Sequence, residues 1–218
     1  MAIVMENIIK SFGRPPVQIL NGISGKIETS EMVAITGRSG SGKSTLLYII
    51  STLDKATAGK VVIDDVALAG MSQAELHRFR NLKMGFVFQF HHLLAELTVL
   101  ENILMPALKS GALVKRKDFA LELLNEFGIL SKAGSLPSQL SGGEQQRVAI
   151  ARSLVMQPEY LFADEPTGNL DSLNGQLVMN LFRKINSERG TTIIYVTHDQ
   201  EFAKLSTRQI NLIDGRIV

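Results

Sequence analysis

The sequence lacks cysteine and has no long apolar run. Without cysteine, the 218-residue chain can form neither disulfide bonds nor thiolate metal sites. No apolar run approaches the roughly 20 residues that a helix needs to span a bilayer. The N-terminal residues reach Glu6 and Asn7 too early for the apolar core of a signal peptide. We therefore expect a soluble protein with no membrane span.

The chain also has little net charge. Lysine and arginine total 23 against 21 for aspartate and glutamate, which gives a charge of +2. This balance provides no electrostatic reason to expect nucleic acid as a partner. The short basic run at residues 115–117 is typical of a solvated helix face, with contact to anionic lipid or a partner as the alternative.

The segment Gly37–Thr45 combines a phosphate-binding spacing with suitable neighbours. Gly37 is followed after four residues by Gly42-Lys43-Ser44, between an apolar run and a helix-like run. Glycines let backbone N–H groups converge on phosphate oxygens, the helix adds its positive end, and Lys43 adds a point charge. Ser44 supplies a hydroxyl for magnesium, and a plain glycine-rich turn is the alternative. The candidate nucleotide contacts are Gly37, Arg38, Ser39, Gly40, Ser41, Gly42, Lys43, Ser44 and Thr45.

Three further apolar runs predict buried strands. Residues 84–88, 160–163 and 191–196 have strand length and are mainly apolar, as expected for parallel strands covered on both faces. Ligands of such sheets bind at the carboxyl ends of the strands. The runs therefore predict an α/β fold with a mainly parallel sheet and a site at its exit edge.

Polar residues follow each of these three runs. Asp164 and Glu165 come after the second run, and unpaired carboxylates there are costly to bury unless they hold a cation. We expect Asp164 to bind magnesium and Glu165, pointing the other way along the strand, to orient a water molecule. Gln89 and His198 follow the other two runs, and a purely structural role is the alternative for each.

The N-terminal part predicts a small β subdomain. Residues 2–9 and 17–27 are rich in isoleucine and valine and are separated by Gly13-Arg14-Pro15-Pro16, which predicts two strands joined by a turn. Phe12 lies beside this turn. From the residues alone we favour a place for its ring in the small core over a ring face offered to a base.

Between residues 91 and 156 the pattern becomes helical. Apolar residues recur at helical spacing over 97–108 and 118–127, which predicts an inserted helical region. Adjacent His91 and His92 point apart and have no third ligand nearby, so a surface or partner contact is favoured over a metal site. We expect one domain over 1–218, with an α/β core at 1–90 and 157–218 and a helical subdomain at 91–156.

A further helix opens with two glycines. Ser141 and Glu144 have the spacing of a capping box, which explains both residues without a ligand. Ser72 and Glu75 have the same spacing, which predicts a capping box for an amphipathic helix over 72–82. Gly142 and Gly143 cost about 1 kcal/mol each in a helix relative to alanine, so bare backbone must be favoured there. Close approach of an anion to the helix N-terminus is one reason for bare backbone.

In this order the segments resemble the nucleotide-binding subunit of ATP-binding cassette (ABC) transporters over essentially the whole chain. The matching segments are Walker A, or the P-loop, at Gly37–Thr45, the Q-loop at Phe88-Gln89, the signature at Leu140–Gln145, Walker B at Tyr160–Glu165, the D-loop at Gly168–Asp171 and the switch histidine at His198. A P-loop alone would also fit kinases, GTPases and helicases. The signature together with this order of segments is nearly exclusive to the ABC family.

The resemblance implies an ATPase in which two copies of the chain close around two Mg-ATP. In the family, the aromatic ring at Phe12 stacks on adenine, Gln89 touches magnesium and water, and His198 contacts the γ-phosphate. The signature turn faces the γ-phosphate held by the other protomer. The implied catalytic residues are Lys43, Gln89, Glu165 and His198; the metal contacts are Ser44, Gln89 and Asp164; the further nucleotide contacts are Phe12, Ser141, Gly142, Gly143 and Gln145.

Residues 88–94, with 97–98 and 101–102, are similar to the lipoprotein-releasing subgroup, which is close to the macrolide-export type. This similarity implies integral membrane subunits docked near Gln89 to Leu104. It also implies a peripheral position on the cytoplasmic face of the inner membrane and a function in lipoprotein release. The alternatives are a macrolide or peptide exporter of the same subgroup and a soluble ABC ATPase without a transporter.

Overall fold

The computed structural model describes residues 2–218, apart from the side chain of Ala69. Ten strands form two sheets in this part of the chain. The strands are β1 Ala2–Phe12, β2 Val17–Glu28, β3 Met32–Gly37, β4 Ala58–Ile63, β5 Val66–Ala67, β6 Met84–Phe88, β7 Tyr160–Asp164, β8 Thr192–Val196, β9 Arg208–Ile213 and β10 Arg216–Ile217.

The smaller sheet is antiparallel and has the order β2-β1-β4-β5. The larger sheet has the order β10-β9-β3-β8-β7-β6, and its strands are parallel except at the edge, where β10 pairs antiparallel with β9. The predicted α/β fold with an N-terminal antiparallel subdomain is thus confirmed. The short strand β5 was not predicted from the sequence.

Seven α-helices accompany the two sheets in the described residues. The helices are α1 Lys43–Ile50, α2 Gln73–Lys83, α3 Val99–Lys109, α4 Leu113–Glu126, α5 Gly142–Leu154, α6 Ser172–Arg189 and α7 Gln200–Ala203. Helices α3 to α5 follow β6 and precede β7 in the sequence. They pack together and form the predicted helical insertion.

The strands β3, β7 and β8 in the middle of the large sheet are buried on both faces, as their nearly continuous apolar sequences predict, whereas β9 and β10 at one edge are largely exposed. Alternate residues of β3 divide between the two faces: Met32 and Ala34 join the core formed with the helical insertion and α6, whereas Val33 and Ile35 join the core beneath α1 and the small sheet. The sheet is therefore held between two apolar cores. The loops that carry the predicted site residues leave it at its exit edge.

Helix caps follow the sequence closely. The capping boxes of Ser72 with Glu75 and of Ser141 with Glu144 are both present, and a third box that was not predicted joins Thr98 and Glu101. Helix α4 begins at Leu113, five residues before the predicted start, because the basic run 115–117 continues the helix.

Two expectations were wrong. Phe12 does not fill the small core, because its side chain is 47% exposed at the end of β1. Glu165 does not continue the alternation of β7, because the strand ends at Asp164 and Glu165 has a left-handed backbone with φ of 47°.

Candidate active site

Four strands of the large sheet end at the same edge, and each is followed by predicted site residues. In the register of the sheet, Phe88 lies beside Asp164, which lies beside Val196, and Val196 in turn lies beside Ile35. The loops after β3, β6, β7 and β8 therefore start side by side. Gly37–Thr45, Gln89, Asp164 and His198 therefore lie at or shortly after neighbouring strand ends, at the exit edge that the apolar runs predict.

The glycine-rich loop Gly37–Thr45 joins β3 to α1. Gly37 has φ of 141°, and a Cβ atom there would lie 2.3 Å from the carbonyl oxygen of Leu212. Gly42 is the N-cap of α1 with φ of 97° and provides no side-chain cap. The exposed residues of the loop are Arg38, Ser39 and Gly40; the buried ones are Ser41, Gly42 and Lys43; Ser44 and Thr45 are half-buried.

Lys43 carries a buried positive charge without a matching carboxylate. Its side chain folds back so that Nζ donates to the carbonyl oxygens of Gly37 and Arg38, both at 3.0 Å. The residue is 8% exposed, and within residues 2–218 no carboxylate forms an ion pair with it. A buried ammonium group is stabilised by an anion, so this loop suits a phosphate group.

Ser41 adds a second incompletely bonded group to the same loop. Its Oγ is buried and has no hydrogen-bond partner among the described residues. Buried hydroxyl groups are normally hydrogen-bonded, and an unpaired one marks a place where a bound polar group would fit. Together with the bare N-terminal end of α1, the loop thus offers several donors to a bound anion.

Asp164, at the end of β7, is held by two residues of α1. Its Oδ1 accepts a hydrogen bond from Ser44 Oγ at 2.8 Å, and its Oδ2 accepts one from the hydroxyl of Tyr48 at 2.6 Å. Burial raises the pKa of Tyr48, and the hydrogen bond to the nearby Asp164 charge raises it further. A serine hydroxyl beside an aspartate carboxylate is an oxygen donor set that suits Mg²⁺.

Glu165 and His198 form a pair across neighbouring strand ends. His198 Nδ1 lies 2.9 Å from Glu165 Oε2, and the backbone N–H of Glu165 donates to Val196 O at 3.2 Å. The side chain of His198 is 69% exposed, whereas that of Glu165 is only 18% exposed. The pair therefore places a partly buried carboxylate, fixed through the backbone, next to a solvent-facing imidazole.

Gln89 is bonded to the loop that follows Glu165. Its side-chain amide donates to Asn169 Oδ1 at 3.1 Å, and Asn169 Nδ2 donates back to the carbonyl oxygen of Gln89 at 3.1 Å. A Cβ atom at Gly168 would lie 3.1 Å from Gln89 Nε2, so this position is tightly packed. These bonds link the exits of β6 and β7, and Asn169 was not among the predicted site residues.

Phe12 presents its ring at the tip of the small sheet. Lys10 Nζ lies 4.6 Å from the centre of this ring, within the range of a cation–π contact. The same ammonium group bonds to Asp54 and to the carbonyl oxygen of Lys55. The exposed ring of Phe12 thus contacts the side chain of Lys10, which is held in place by its own bonds to Asp54 and Lys55.

The turn Ser141–Gly143 lies at the start of α5, where Ser141 and Gly142 are exposed and Gly143 is buried. Ser141 and Glu144 bond reciprocally, and these bonds hold the pKa of Glu144 below its usual range. Gln145 Nε2 donates to the carbonyl oxygens of Pro137 and Leu140, so its amide is used within this chain. In the part of the chain that is described, no hydrogen bond or ion pair joins Ser141–Gly143 to Gly37–Thr45.

The two glycines of this turn differ. A Cβ atom at Gly143 would lie 2.2 Å from Oδ1 of Asn174, at the start of α6, so packing within the chain explains this residue. A Cβ atom at Gly142 would meet nothing within 4 Å. Close approach of an anion was expected to explain both glycines, but it is needed to explain only Gly142.

The sequence itself decides the family. The profile of the ABC transporter family matches residues 20–168, which include the glycine-rich loop, the signature turn and Asp164. The chain belongs to the ABC transporter family. It is an ATP-binding subunit of this family and an ATPase. No helix within residues 2–218 is long and apolar enough to cross a membrane.

Curated relatives of this ABC ATPase cover nearly its whole length. It is 50% identical over 216 residues to the lipoprotein-releasing system ATP-binding protein LolD of Leptospira interrogans, covering 99% of this chain and 90% of that protein. It is 52% identical over 202 residues to LolD of Aquifex aeolicus, covering 92% and 90%.

Solved ABC cassettes have the same fold. The dimeric bacterial ABC transporter cassette MJ0796 superposes with a TM-score of 0.90 at 42% identity, covering 99% of this chain and 96% of that one. A dimer of MJ0796 in a post-hydrolysis state bound to ADP and Pi gives a TM-score of 0.86 at 39% identity, with the same coverage.

Besides Asn169, sequence reasoning missed the contact of Tyr48 with Asp164. Tyr48 lies four residues after Ser44, so both side chains lie on one face of α1, and this spacing was the available signal. The motif itself ends at Thr45, and nothing in the sequence pairs position 48 with a residue 116 positions away.

Proposed function

We propose that two copies of this ABC ATPase close around two Mg-ATP and drive membrane subunits that release lipoproteins. The observation that carries the nucleotide part is the buried Lys43 ammonium group, which within residues 2–218 is bonded to two carbonyl oxygens and to no carboxylate, beside a helix start without a side-chain cap. The lipoprotein part is supported by the LolD relatives, which are about half identical over nearly the whole chain.

Each predicted residue has a role in this proposal. Lys43 and the loop amides bind the phosphates, Phe12 stacks on adenine, and Ser44, Asp164 and Gln89 hold Mg²⁺, which would neutralise phosphate charge. The chain supplies positioning and charge rather than a covalent intermediate. The remaining contacts to the partner's nucleotide are Ser141, Gly142, Gly143 and Gln145.

Hydrolysis requires a group that takes a proton from the attacking water. Glu165 is the candidate, because its carboxylate is partly buried, fixed by the backbone bond to Val196 and placed beside the Asp164 end of β7. His198 contacts Glu165 Oε2 and would hold the carboxylate until the γ-phosphate enters, when the imidazole contacts that phosphate instead.

Closure must be completed by a second copy, since the signature turn has no bond to the nucleotide loop of its own chain among the described residues. The dimeric MJ0796 cassette, with a TM-score of 0.90, supports this arrangement. We place the membrane subunits near Gln89 to Leu104, where Phe90 is 67% exposed, and infer a peripheral position on the inner membrane. The boundaries of the helical subdomain at 91 and 156 belong to the same proposal.

The variant Glu165→Gln tests the catalytic assignment. We expect ATP turnover to fall by about 10²- to 10⁴-fold, because the amide cannot accept the proton, while ATP affinity is kept and an ATP-dependent dimer accumulates. Turnover is measured by phosphate release and dimerisation by size-exclusion chromatography. Glu201→Gln, a change at an exposed ion pair with Lys204, is the control and should behave as the unmodified chain. Retained turnover in Glu165→Gln would reject Glu165 as the base.

The substrate assignment needs the membrane partner. The integral membrane proteins that co-purify with the chain are reconstituted with it in vesicles that contain an acylated lipoprotein. ATP-dependent release of the lipoprotein supports the proposal, whereas ATPase stimulation by a macrolide or a peptide without lipoprotein release would favour export instead.

A further inference from the structure

The Asp164 carboxylate is fixed at both oxygens by one helix. Ser44 and Tyr48 are separated by one turn of α1 and bond to Oδ1 and Oδ2, respectively, at 2.8 and 2.6 Å. Ser44 belongs to the proposed nucleotide site, whereas Tyr48 lies beyond it. The bond from Tyr48 therefore acts on the far side of the carboxylate from the nucleotide loop.

Tyr48 is itself firmly anchored. Its ring packs against the apolar core beneath α1 and the small sheet. Its carbonyl oxygen accepts hydrogen bonds from the backbone N–H groups of Leu53 and Asp54 at 2.8 and 3.0 Å and from Ser51 Oγ at 3.3 Å. Because the ring and the backbone of Tyr48 are both held, its hydroxyl gives Asp164 Oδ2 a fixed partner.

We propose that Tyr48 is a positioning residue for the divalent cation of this ATPase. A carboxylate with one free oxygen can turn about its Cβ–Cγ bond, but the Tyr48 hydroxyl opposes this rotation and keeps Oδ1 directed at Ser44. Hydrogen bonds to metal-binding carboxylates typically contribute 10- to 100-fold to metal affinity. The inference rests on the proposed function, since it requires Asp164 to hold the cation.

A purely structural role would be to tie α1 to β7. Another tyrosine–aspartate hydrogen bond of this protein has such a structural role. At the opposite end of β7, the hydroxyl of Tyr160 donates to Asp64 in the turn after β4. Both tyrosines donate a hydrogen bond to an aspartate, Tyr160 from a fully buried side chain and Tyr48 from a half-buried one, and of the two only Tyr48 reaches the proposed site. Tyr160→Phe is therefore the control for Tyr48→Phe.

The test compares affinity for the non-hydrolysable nucleotide AMP-PNP in EDTA and in excess Mg²⁺ by titration calorimetry. The ratio of the two dissociation constants reports the cation's contribution and does not depend on turnover. We expect Tyr48→Phe to reduce this ratio about tenfold and to leave the dissociation constant in EDTA unchanged. Tyr160→Phe should change neither value. Both variants should lower the unfolding temperature, because each loses one hydrogen bond.

Asp164→Asn separates this inference from the proposed function. Loss of the Mg²⁺-dependent gain in Asp164→Asn, with a normal gain in Tyr48→Phe, would overturn the role of Tyr48 and keep the metal site. A normal gain in Asp164→Asn would reject the metal site and the role of Tyr48 together. If Tyr48→Phe fails to fold while Tyr160→Phe folds, the bond is structural and the inference is also overturned.

Discussion

Helices α1 and α5 both begin in glycine-containing turns, but their first turns are completed in different ways. At α1 the N-cap Gly42 gives no side-chain cap, and the turn is buried. At α5 the N-cap Ser141 forms a full capping box with Glu144, and Ser141 and Gly142 are exposed while Gly143 is buried. The first helix end thus depends on a ligand to satisfy its donors, whereas the second is stable without one and is available to a partner.

The difference predicts that changes at α1 act on binding of ATP by a single chain. Lys43→Ala removes the charged phosphate contact, and we expect the dissociation constant for ATP to rise about 100-fold, since a hydrogen bond to a charged group contributes about 1.5–3 kcal/mol. Folding should not suffer, because the lost ammonium group is buried without a counter-ion.

Titration calorimetry at constant Mg²⁺ measures this change. Lys60→Ala is the control, because Lys60 is an exposed lysine paired with Glu6 on the small sheet. An unchanged dissociation constant in Lys43→Ala would remove the reason for treating the α1 turn as the ligand-dependent one.

Within the α5 turn, Gly143 should behave as a packing residue. In Gly143→Ala the new methyl group would collide with Asn174, whose amide donates to Asp171 at 2.8 Å. Relief requires moving this side chain away from Asp171, which costs about 1–3 kcal/mol and outweighs the gain of up to about 1 kcal/mol from replacing a helical glycine by alanine. We therefore expect a net loss of about 1–2 kcal/mol in the free energy of unfolding. Urea denaturation measures it, and ATP affinity of the single chain should be unchanged. A variant as stable as the unmodified chain would show that the start of α6 adapts freely.

The sequence was informative where local rules decide the structure. Apolar runs of strand length predicted β6, β7 and β8 within a residue at each end, because strands buried on both faces have no polar alternation to disguise them. The spacing of Ser72 with Glu75 and of Ser141 with Glu144 predicted real capping boxes, since that motif is complete within four residues.

The sequence was less informative where distant residues meet. The contacts of Tyr48 with Asp164 and of Gly143 with Asn174 join elements that lie far apart in the chain, and no local pattern records them. Phe12 was assigned to the core because aromatic rings are usually buried, yet it is the last residue of β1, where it is exposed. The two glycines of the signature also looked alike in sequence, although only Gly143 packs closely against a distant residue, Asn174.

Gly142 offers the sharpest separation of the two helix starts. Gly142→Asp places an acid in the first turn of α5, which complements the helix dipole, and it replaces a poor helix former at a position where a Cβ atom meets nothing. The unfolding free energy should therefore stay the same or rise by up to about 1 kcal/mol.

In the closed dimer the carboxylate of Gly142→Asp would face the γ-phosphate of the partner's nucleotide. We therefore expect ATP-dependent dimerisation, measured in the Glu165→Gln background, to weaken at least about tenfold while ATP still binds the single chain. Gly142→Ala, which adds no charge, is the matched control and should weaken dimerisation less. If Gly142→Asp dimerises normally, the α5 turn is only a helix start, and the contrast with α1 reflects burial alone.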